Sequence, residues 1–262
     1  MLARQRQERI LDEVRNHGGV RVGDLVELLQ VSDMTVRRDI ESLARRGLVE
    51  RVHGGATTIG NRSSDEPGFV AKSSLAREEK QAIAREAVRL VEPGESIAIS
   101  AGTTTLAVAR ALLDVPELTV VTNSVPVADL MHDPARPDRT VILIGGQRTP
   151  SNALVGPVAV NALRTLHVDT LVLGVHGITE DTGLTTPNIV EADTDRALVA
   201  CARRVLVCAD HSKWGVVGLA RIADLSQVDV LVTDAAMPRA AQRALARSVG
   251  RLVVAGDGDP DS

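Results

Sequence analysis

The chain has 262 residues, of which 44% are hydrophobic and 24% charged, a balance typical of one or two folded domains and not of a disordered chain. Its two aromatic residues, Phe69 and Trp214, are too few for a protein that stacks exposed bases on aromatic side chains. No apolar run approaches the length of a membrane span, no signal-peptide core begins the chain, and two cysteines give no disulfide framework, so we expect a cytoplasmic protein.

The charge is unevenly distributed along the chain. Residues 1–62 hold 11 Arg and 9 acidic residues, a net charge of +2, whereas the remainder carries a net charge of −6. A basic N-terminal part on an acidic body indicates an anionic partner for the N-terminal part alone.

Residues 1–58 are predicted to form a small domain of three helices and a hairpin. Apolar spacing and glycine stops define its elements, which are a helix over 2–16, a short strand over 20–22, helices over 24–30 and 33–46, and a strand over 48–52 turned back by Gly54 and Gly55. Helices two and three flank a short turn, which is the helix-turn-helix arrangement.

The third helix is predicted to present two different faces. At 100° per residue, Val36, Ile40 and Leu43 form one narrow apolar stripe. The polar side chains lie elsewhere and offer forked donors and hydroxyls suited to base edges and phosphates. The candidate DNA contacts are Thr35, Arg37, Arg38 and Ser42 of this helix, with Arg51 and His53 on the hairpin. The alternatives are a solvated charged face for the helix, and a hairpin role without DNA contact for His53.

Residues 59–73 are rich in Gly, Ser and other polar residues and are predicted to be a linker. The rest, residues 74–262, alternates between helical and strand patterns. The predicted helices are 75–91, 104–113, 126–132, a segment after Pro157, 190–202 and 238–249, and the predicted strands are 96–100, 118–122, 140–144, 169–174, 205–209, 228–233 and 251–255. Aliphatic strands separated by helices indicate an α/β domain whose mostly parallel sheet is covered on both faces.

Polar and glycine-rich residues follow five of these strands, and the carboxyl ends of parallel strands share one edge. A Gly-Thr-Thr turn running into a helix can hold an anion, although by itself it is more often a capped helix. The candidate ligand contacts are Ser100, Gly102, Thr103, Thr104, Thr105, Asn123, Gly145, Gly146, Arg148, Gly174 and Lys213. Together they predict a small phosphorylated, hydroxyl-rich ligand.

The residues of both domains resemble the DeoR family of bacterial transcription regulators. The matches include 19–22, 31–32, 34–40 and 51–56 in the first domain, of which 34–40 is the densest, and 102–104, 118–124, 144–146, 183–185, 191–192 and 209–215 in the second. The resemblance implies a winged helix-turn-helix that binds double-stranded DNA around 35–38, with Arg21 and Ser32 as further contacts. It implies a fold similar to ribose-5-phosphate isomerase and CoA-transferases, with Gly177 and Glu191 added to the ligand site.

The resemblance further implies a homo-oligomeric repressor of carbohydrate or related metabolic genes, which binds an operator, responds to a sugar phosphate and needs no cofactor. Two positions depart from the family pattern. Ser100 stands where an acidic residue often precedes the Gly-Thr-Thr loop, and Asp195 stands where a Lys usually follows Glu191. Both changes alter the charge beside the expected ligand.

Two other classes of function compete with this interpretation. The stronger is a sugar-phosphate isomerase or deaminase, which needs a carboxylate base; Glu191, Asp210 and Asp234 are the candidates. A nicotinamide dehydrogenase is disfavoured because no Gly-x-Gly-x-x-Gly follows a strand. A metal site at Cys201, Cys208 and His211 is also disfavoured, since free cysteines usually act as small core residues.

Overall fold

The computed structural model describes residues 3–17, 19–46, 48–52, 54–57 and 76–256, and the chain divides into two compact units, Met1–Asp65 and Glu66–Ser262. The predicted linker, residues 59–73, and His53 lie outside the described residues. No helix among the described residues is both long and apolar enough to cross a membrane.

The first unit consists of three helices and a small antiparallel sheet. Its elements are α1 Ala3–His17, β1 Gly19–Arg21, α2 Val22–Leu29, α3 Asp33–Arg45, β2 Glu50–Val52 and β3 Gly55–Thr57, with strand order β1-β3-β2. The strand predicted at 20–22 is found one residue earlier, at Gly19–Arg21. It cannot include Val22, because Val22 is already the first residue of α2. Ten aliphatic side chains from all three helices and the sheet form one buried core, which includes Ile10, Leu25 and Ile40.

The second unit is built on a seven-stranded sheet in which every neighbouring pair is parallel. Its order is β15-β14-β12-β9-β4-β5-β6. The strands are β4 Ser96–Ile99, β5 Thr119–Thr122, β6 Thr140–Leu143, β9 Val168–Leu173, β12 Ala202–Cys208, β14 Val230–Asp234 and β15 Arg251–Ala255. The predicted mostly parallel α/β sheet is confirmed.

Helices cover both faces of this sheet. They are α4 Arg77–Val88, α5 Thr103–Ala111, α6 Val125–Met131, α7 Pro157–Leu163, α8 Ile189–Cys201 and α9 Arg239–Ser248. Alternate residues of the strands enter two separate cores: Ile97 and Ile99 pack beneath α4 and α5, while Ala98 packs on the side of α7 and α8. Strands buried on both faces must be apolar at every position, which explains their continuous aliphatic runs.

Two small antiparallel elements were not predicted. Strands β10 Gly177–Thr179, β11 Gly183–Thr186 and β13 Ala220–Ala223 form a three-stranded sheet, and β7 Gln147–Arg148 pairs with β8 Leu154–Val155. These strands are only two to four residues long, which is too short for a period of two to stand out in the sequence. They border the carboxyl edge of the large sheet and supply part of the site described below.

Candidate functional site

The first candidate surface is the start of α3. Ser32 is the N-cap of this helix: its Oγ accepts a hydrogen bond from the Thr35 backbone N–H at 3.3 Å, and the two hydroxyls lie 2.9 Å apart. The cap satisfies one of the otherwise unpaired N–H groups of the first helical turn. Two of the predicted DNA contacts, Ser32 and Thr35, therefore also fix where the helix begins.

The rest of α3 divides into a buried stripe and an exposed arginine face, as predicted. Val36, Ile40 and Leu43 are at most 2% exposed. Arg38 is exposed and makes no hydrogen bond or ion pair with any described residue, whereas exposed Arg37 donates twice to Asp33. The Arg38 guanidinium is thus available to an acceptor on another molecule. Arg37 can bind such an acceptor only if it gives up or shares its hydrogen bonds to Asp33.

The remaining predicted DNA contacts are less distinctive. Ser42 is partly buried on α3, and Arg21 and Arg51 are exposed on β1 and β2. Neither arginine has an ion pair within the described part of the chain. Nothing in the local geometry separates these three residues from an ordinary solvated surface, so their contact with DNA stays a prediction.

Sequence periodicity missed one polar residue of α3, Asp39. Its carboxylate is only 5% exposed and accepts hydrogen bonds from Arg6 Nε at 2.7 Å and Gln7 Nε2 at 3.1 Å. These contacts join α1 to α3 and fix the angle at which α3 is held. Asp39 supports the arginine face without belonging to it.

The second candidate site is a cavity of about 110 Å³ at the carboxyl edge of the parallel sheet. All five predicted strand ends lie at this edge, because every neighbouring pair in the sheet is parallel, but of the predicted strand-end residues only those after β4, β9 and β12 reach the cavity. Its lining residues are Ala76, Lys80, Ala101, Gly102, Thr103, Thr104, Ser151, Gly174, Val175, His176, Thr186, Glu191, Asp195, Asp210, Ser212 and Lys213. Of the predicted ligand contacts, Gly102, Thr103, Thr104, Gly174, Glu191 and Lys213 are therefore brought together.

One wall of the cavity is the N-terminus of α5, which starts after Gly102. The N–H groups of the first turn have no partner within the helix, and the helix dipole favours an anion beside them. Thr104 is 7% exposed, and its hydroxyl forms no hydrogen bond with any described residue. Lys213 adds an ammonium group that is likewise unpaired among the described residues. This wall offers unsatisfied donors only.

Another wall is the first part of α8, which carries carboxyl groups. The Glu191 carboxylate accepts hydrogen bonds from Thr149 at 2.6 Å, from Ser151, and from Thr186 at 3.5 Å. Asp195 follows four residues later, so it lies on the same face of the helix. Burial, followed by the proximity of Glu191, raises the pKa of Asp195 well above its usual range.

Three predicted ligand contacts use their side chains to build the loop instead of lining the cavity. The Ser100 Oγ accepts the Gly174 N–H at 3.0 Å, and the Thr105 hydroxyl donates to the Ser100 carbonyl at 2.7 Å. Asn123 accepts the Ala101 N–H at 3.0 Å and donates to the Leu154 carbonyl. All three are at most 1% exposed, and they hold the α5 N-terminus in place.

Four others lie away from the cavity. Arg148 is exposed and donates to the Asn152 carboxamide oxygen at 2.7 Å, and Gly145 is exposed in the turn before β7. Gly146 and Gly177 are required by packing: a Cβ would lie 2.6 Å from the Val155 carbonyl oxygen and 2.1 Å from that of Val216, respectively. Their contact with a ligand is not supported by this geometry.

Several lining residues escaped the prediction of the ligand site. Lys80 of α4 is 6% exposed yet reaches the cavity. Asp210, considered above only as a base, lies at the cavity and accepts the Ser212 N–H at 3.0 Å. Ser151 and Thr186 come from the unpredicted short strands and their connections, and no local sequence signal marks them.

The candidate base Asp234 is engaged elsewhere. It is 3% exposed and accepts hydrogen bonds from the His211 N–H at 2.7 Å, from His211 Nδ1 at 2.9 Å and from the Ala236 N–H. Burial opposes ionisation of Asp234, but the hydrogen bonds from His211 prevail and lower its pKa, while the same contact raises the pKa of His211. The pair fastens β14 to the turn that carries Lys213.

A larger cavity of about 910 Å³ lies between α7 and α8. Leu163, Leu166, Val190 and Ala197 give it a mainly apolar lining. Size alone therefore does not identify the polar ligand site. Cys201 and Cys208 are buried thiols, and no three potential metal ligands come together among the described residues.

Comparison with protein families finds two matches that together cover most of the chain. Residues 6–62 match the DeoR-like helix-turn-helix domain, and residues 75–235 match the DeoR C-terminal sensor domain. The sensor-domain match alone spans more than half of the sequence. The order of the two domains is the one expected from the sequence.

Similar curated proteins include three from Escherichia coli. The HTH-type transcriptional regulator YgbI of strain K12, whose function is uncharacterised, is 37% identical, with 97% of this chain and 99% of that protein covered. The glycerol-3-phosphate regulon repressor of strain K12 is 34% identical (89% and 92% covered). The putative aga operon transcriptional repressor of O157:H7 is 31% identical (97% and 94%).

Among solved structures, the chain is similar to ribose 5-phosphate isomerase A from Methanocaldococcus jannaschii. The identity is 18%, the TM-score is 0.38, and 53% of this chain and 54% of that chain are covered. A likeness of this extent carries no argument about activity.

Proposed function

This chain belongs to the DeoR family of transcriptional regulators, and we propose that it is a repressor whose affinity for its operator is controlled by a phosphorylated ligand bound at the α5 N-terminus. The names of similar repressors, for a glycerol-3-phosphate regulon and an aga operon, support genes of carbohydrate or related metabolism as its targets. Such a repressor acts in the cytoplasm.

The observation that carries the ligand site is the hydroxyl of Thr104, which lines the cavity and has no hydrogen-bond partner among the described residues. A hydroxyl held at a cavity wall without a protein partner is open to a ligand group that accepts its hydrogen. Beside it lie the free N–H groups of α5 and the Lys213 ammonium, and a phosphate group satisfies all three kinds of donor.

For the DNA contact, the support is the unpaired arginine at the start of an anchored helix. Arg38 is exposed in the first turns of α3, where a recognition helix reaches deepest into the major groove. A guanidinium there can form paired hydrogen bonds with a guanine. We propose that two or more copies bind together, because one short helix gives limited affinity and linked heads gain from effective concentration.

We also propose that the ligand is bound without turnover. Each candidate base already has a structural role, since Glu191 accepts three hydroxyl groups, Asp210 accepts the Ser212 N–H, and Asp234 holds His211. Incubation with ribose 5-phosphate, glucosamine 6-phosphate or fructose 6-phosphate should give no product above a blank. Conversion at roughly 1 per second, an ordinary enzyme rate, would favour an isomerase or deaminase instead.

The DNA-binding proposal is tested with a duplex that the protein itself selects from a randomised pool. Fluorescence anisotropy then measures the affinity of that duplex for the wild-type chain and for Arg38→Ala. Arg110→Ala provides the matched control, because Arg110 is an exposed helical arginine of the second unit. We expect a loss for Arg38→Ala alone; equal affinity of all three proteins would refute the assignment of α3.

A further inference from the structure

The cavity at the α5 N-terminus contains more carboxyl groups than ammonium groups. Glu191, Asp195 and Asp210 line it, against Lys80 and Lys213, with His176 as the remaining titratable side chain. A phosphate monoester adds nearly two further negative charges near neutral pH. That much negative charge in one small cavity is unfavourable, so Asp195 either stays protonated, as its raised pKa favours in the free protein, or ionises against a positive group on the ligand.

The two carboxyl groups on α8 are in different situations. Glu191 is already satisfied by the hydroxyls of Thr149, Ser151 and Thr186. The Asp195 carboxyl has no hydrogen bond or ion pair within the described part of the chain, although it lines the cavity. Its neighbour Arg196 is bound elsewhere, to the Asp193 carboxylate and the Arg221 carbonyl oxygen.

The unsatisfied acceptor and the unsatisfied donors therefore belong to separate walls. Thr104 and Lys213 stand on the α5 side, and Asp195 stands on α8. Lys213 and Asp195 pair neither with each other nor with any other described residue, so the cavity holds an unpaired ammonium group and an unpaired carboxyl group on separate walls.

From this arrangement we propose that the ligand of this cavity is a small phosphorylated amine, whose ammonium group binds Asp195 while its phosphate binds the α5 N-terminus. The inference rests on the proposed phosphate site and adds the class of ligand. Burial raises the pKa of the free Asp195 carboxyl, and a bound ammonium group would favour the ionised carboxylate again. The ligand's own charge thus supplies the partner that the cavity lacks.

Calorimetric titration with isosteric pairs tests this assignment. Each pair differs by an amino group in place of a hydroxyl: O-phosphoethanolamine against 2-hydroxyethyl phosphate, and glucosamine 6-phosphate against glucose 6-phosphate. We expect the wild-type chain to bind the amine of at least one pair about tenfold more tightly than its hydroxyl partner, as a desolvated charge-assisted hydrogen bond predicts.

Asp195→Asn should reduce the preference to about twofold or less, while the affinity for the hydroxyl compound stays near that of the wild type. Asp193→Asn is the matched control, because Asp193 is an exposed carboxylate of the same helix that lines the other cavity. Asp195→Lys should reverse the selectivity in favour of 3-phosphoglycerate over either amine.

Equal or tighter binding of the hydroxyl compounds by the wild type, or an unchanged preference in Asp195→Asn, would overturn the phosphorylated-amine assignment and leave the phosphate site standing. If none of these esters and no inorganic phosphate binds at millimolar concentration, the proposed phosphate site fails as well. Circular dichroism of each variant distinguishes a loss of ligand contact from a loss of fold.

Discussion

The two candidate sites present their polar groups in opposite ways. On α3 the arginines are exposed and stand on a continuous buried stripe of Val36, Ile40 and Leu43. At the cavity, Thr104 and Lys80 are buried at 7% and 6% exposure, and the lining residues come from segments far apart in the chain, from Ala76 to Lys213. An exposed face can accept a large, hydrated polymer, whereas polar groups gathered around a small cavity select a small ligand that fits among them.

The largest effect should come from the buried ion pair that supports α3. Asp39→Ala leaves Arg6 and Gln7 without their common acceptor, and the loss of one partner of a buried pair typically costs about 3–5 kcal/mol. Amide hydrogen exchange of residues 3–46 in the full chain measures the free energy of opening for the first unit. The exchange of the second unit should remain as in the wild type.

Glu8→Ala is the control for this comparison, because Glu8 pairs with Arg4 on an exposed surface. An exposed pair of this kind contributes less than about 1 kcal/mol. If Asp39→Ala and Glu8→Ala reduced the protection of the amides from hydrogen exchange equally, Asp39 would not hold α1 and α3 together.

The difference between the two sites also explains what the sequence could and could not predict. A stripe such as Val36-Ile40-Leu43 repeats every three to four residues, so its exposed face follows directly from the helical period. The carboxyl edge of the sheet could be located as well, because every parallel strand ends there. Which side chains face the cavity could not be derived, since Asn123 and Thr105 turned inward to bind the backbone.

The second prediction separates the two neighbouring arginines of α3. Arg38→Ala should weaken binding to the selected duplex by about 1–3 kcal/mol, the usual value of a paired contact with a base. Arg37→Ala should weaken selected and random duplexes by similar factors and lower the salt dependence by about one counterion, as a phosphate contact does. Anisotropy titrations at several salt concentrations measure both effects. Similar behaviour of the two variants would contradict this division of roles.

The third prediction compares two adjacent threonines at the cavity. Thr104→Val removes a hydroxyl without a partner and should weaken binding of a phosphate ester by about 1 kcal/mol, with no loss of stability. Thr105→Val removes the donor to the Ser100 and Gly102 carbonyls, so it should destabilise the second unit by a similar amount. Calorimetry and urea unfolding measure the two quantities. A stability loss in Thr104→Val would mean that its hydroxyl has a structural partner.

The smallest effect concerns pH. The raised pKa of His211 contributes stability that is complete below its ordinary value near 6.5 and is lost as pH rises through the folded-state value. The lowered pKa of Asp234 contributes stability above about 3.8, which is lost as pH falls through its folded-state value. The stabilising effect of the pair should therefore be greatest between about pH 4 and 6.5.

Urea unfolding of the wild type and of His211→Asn across pH 5 to 9 checks the basic side of this window. The stability difference between them should shrink as pH rises above 6.5. A difference that grows with pH would contradict an ionised pair. His132→Asn is the control, because His132 is an exposed histidine of the same unit.

The central claim is that occupation of the cavity changes the affinity for DNA. The most direct measurement is one titration of the selected duplex with the full chain, with and without a saturating phosphate ester that calorimetry has shown to bind. We predict a change in operator affinity of about 1–3 kcal/mol, the usual size of such coupling, which Thr104→Val and Lys213→Ala reduce and the surface variant Thr140→Val retains. Identical operator affinity with and without the bound ester would contradict the account.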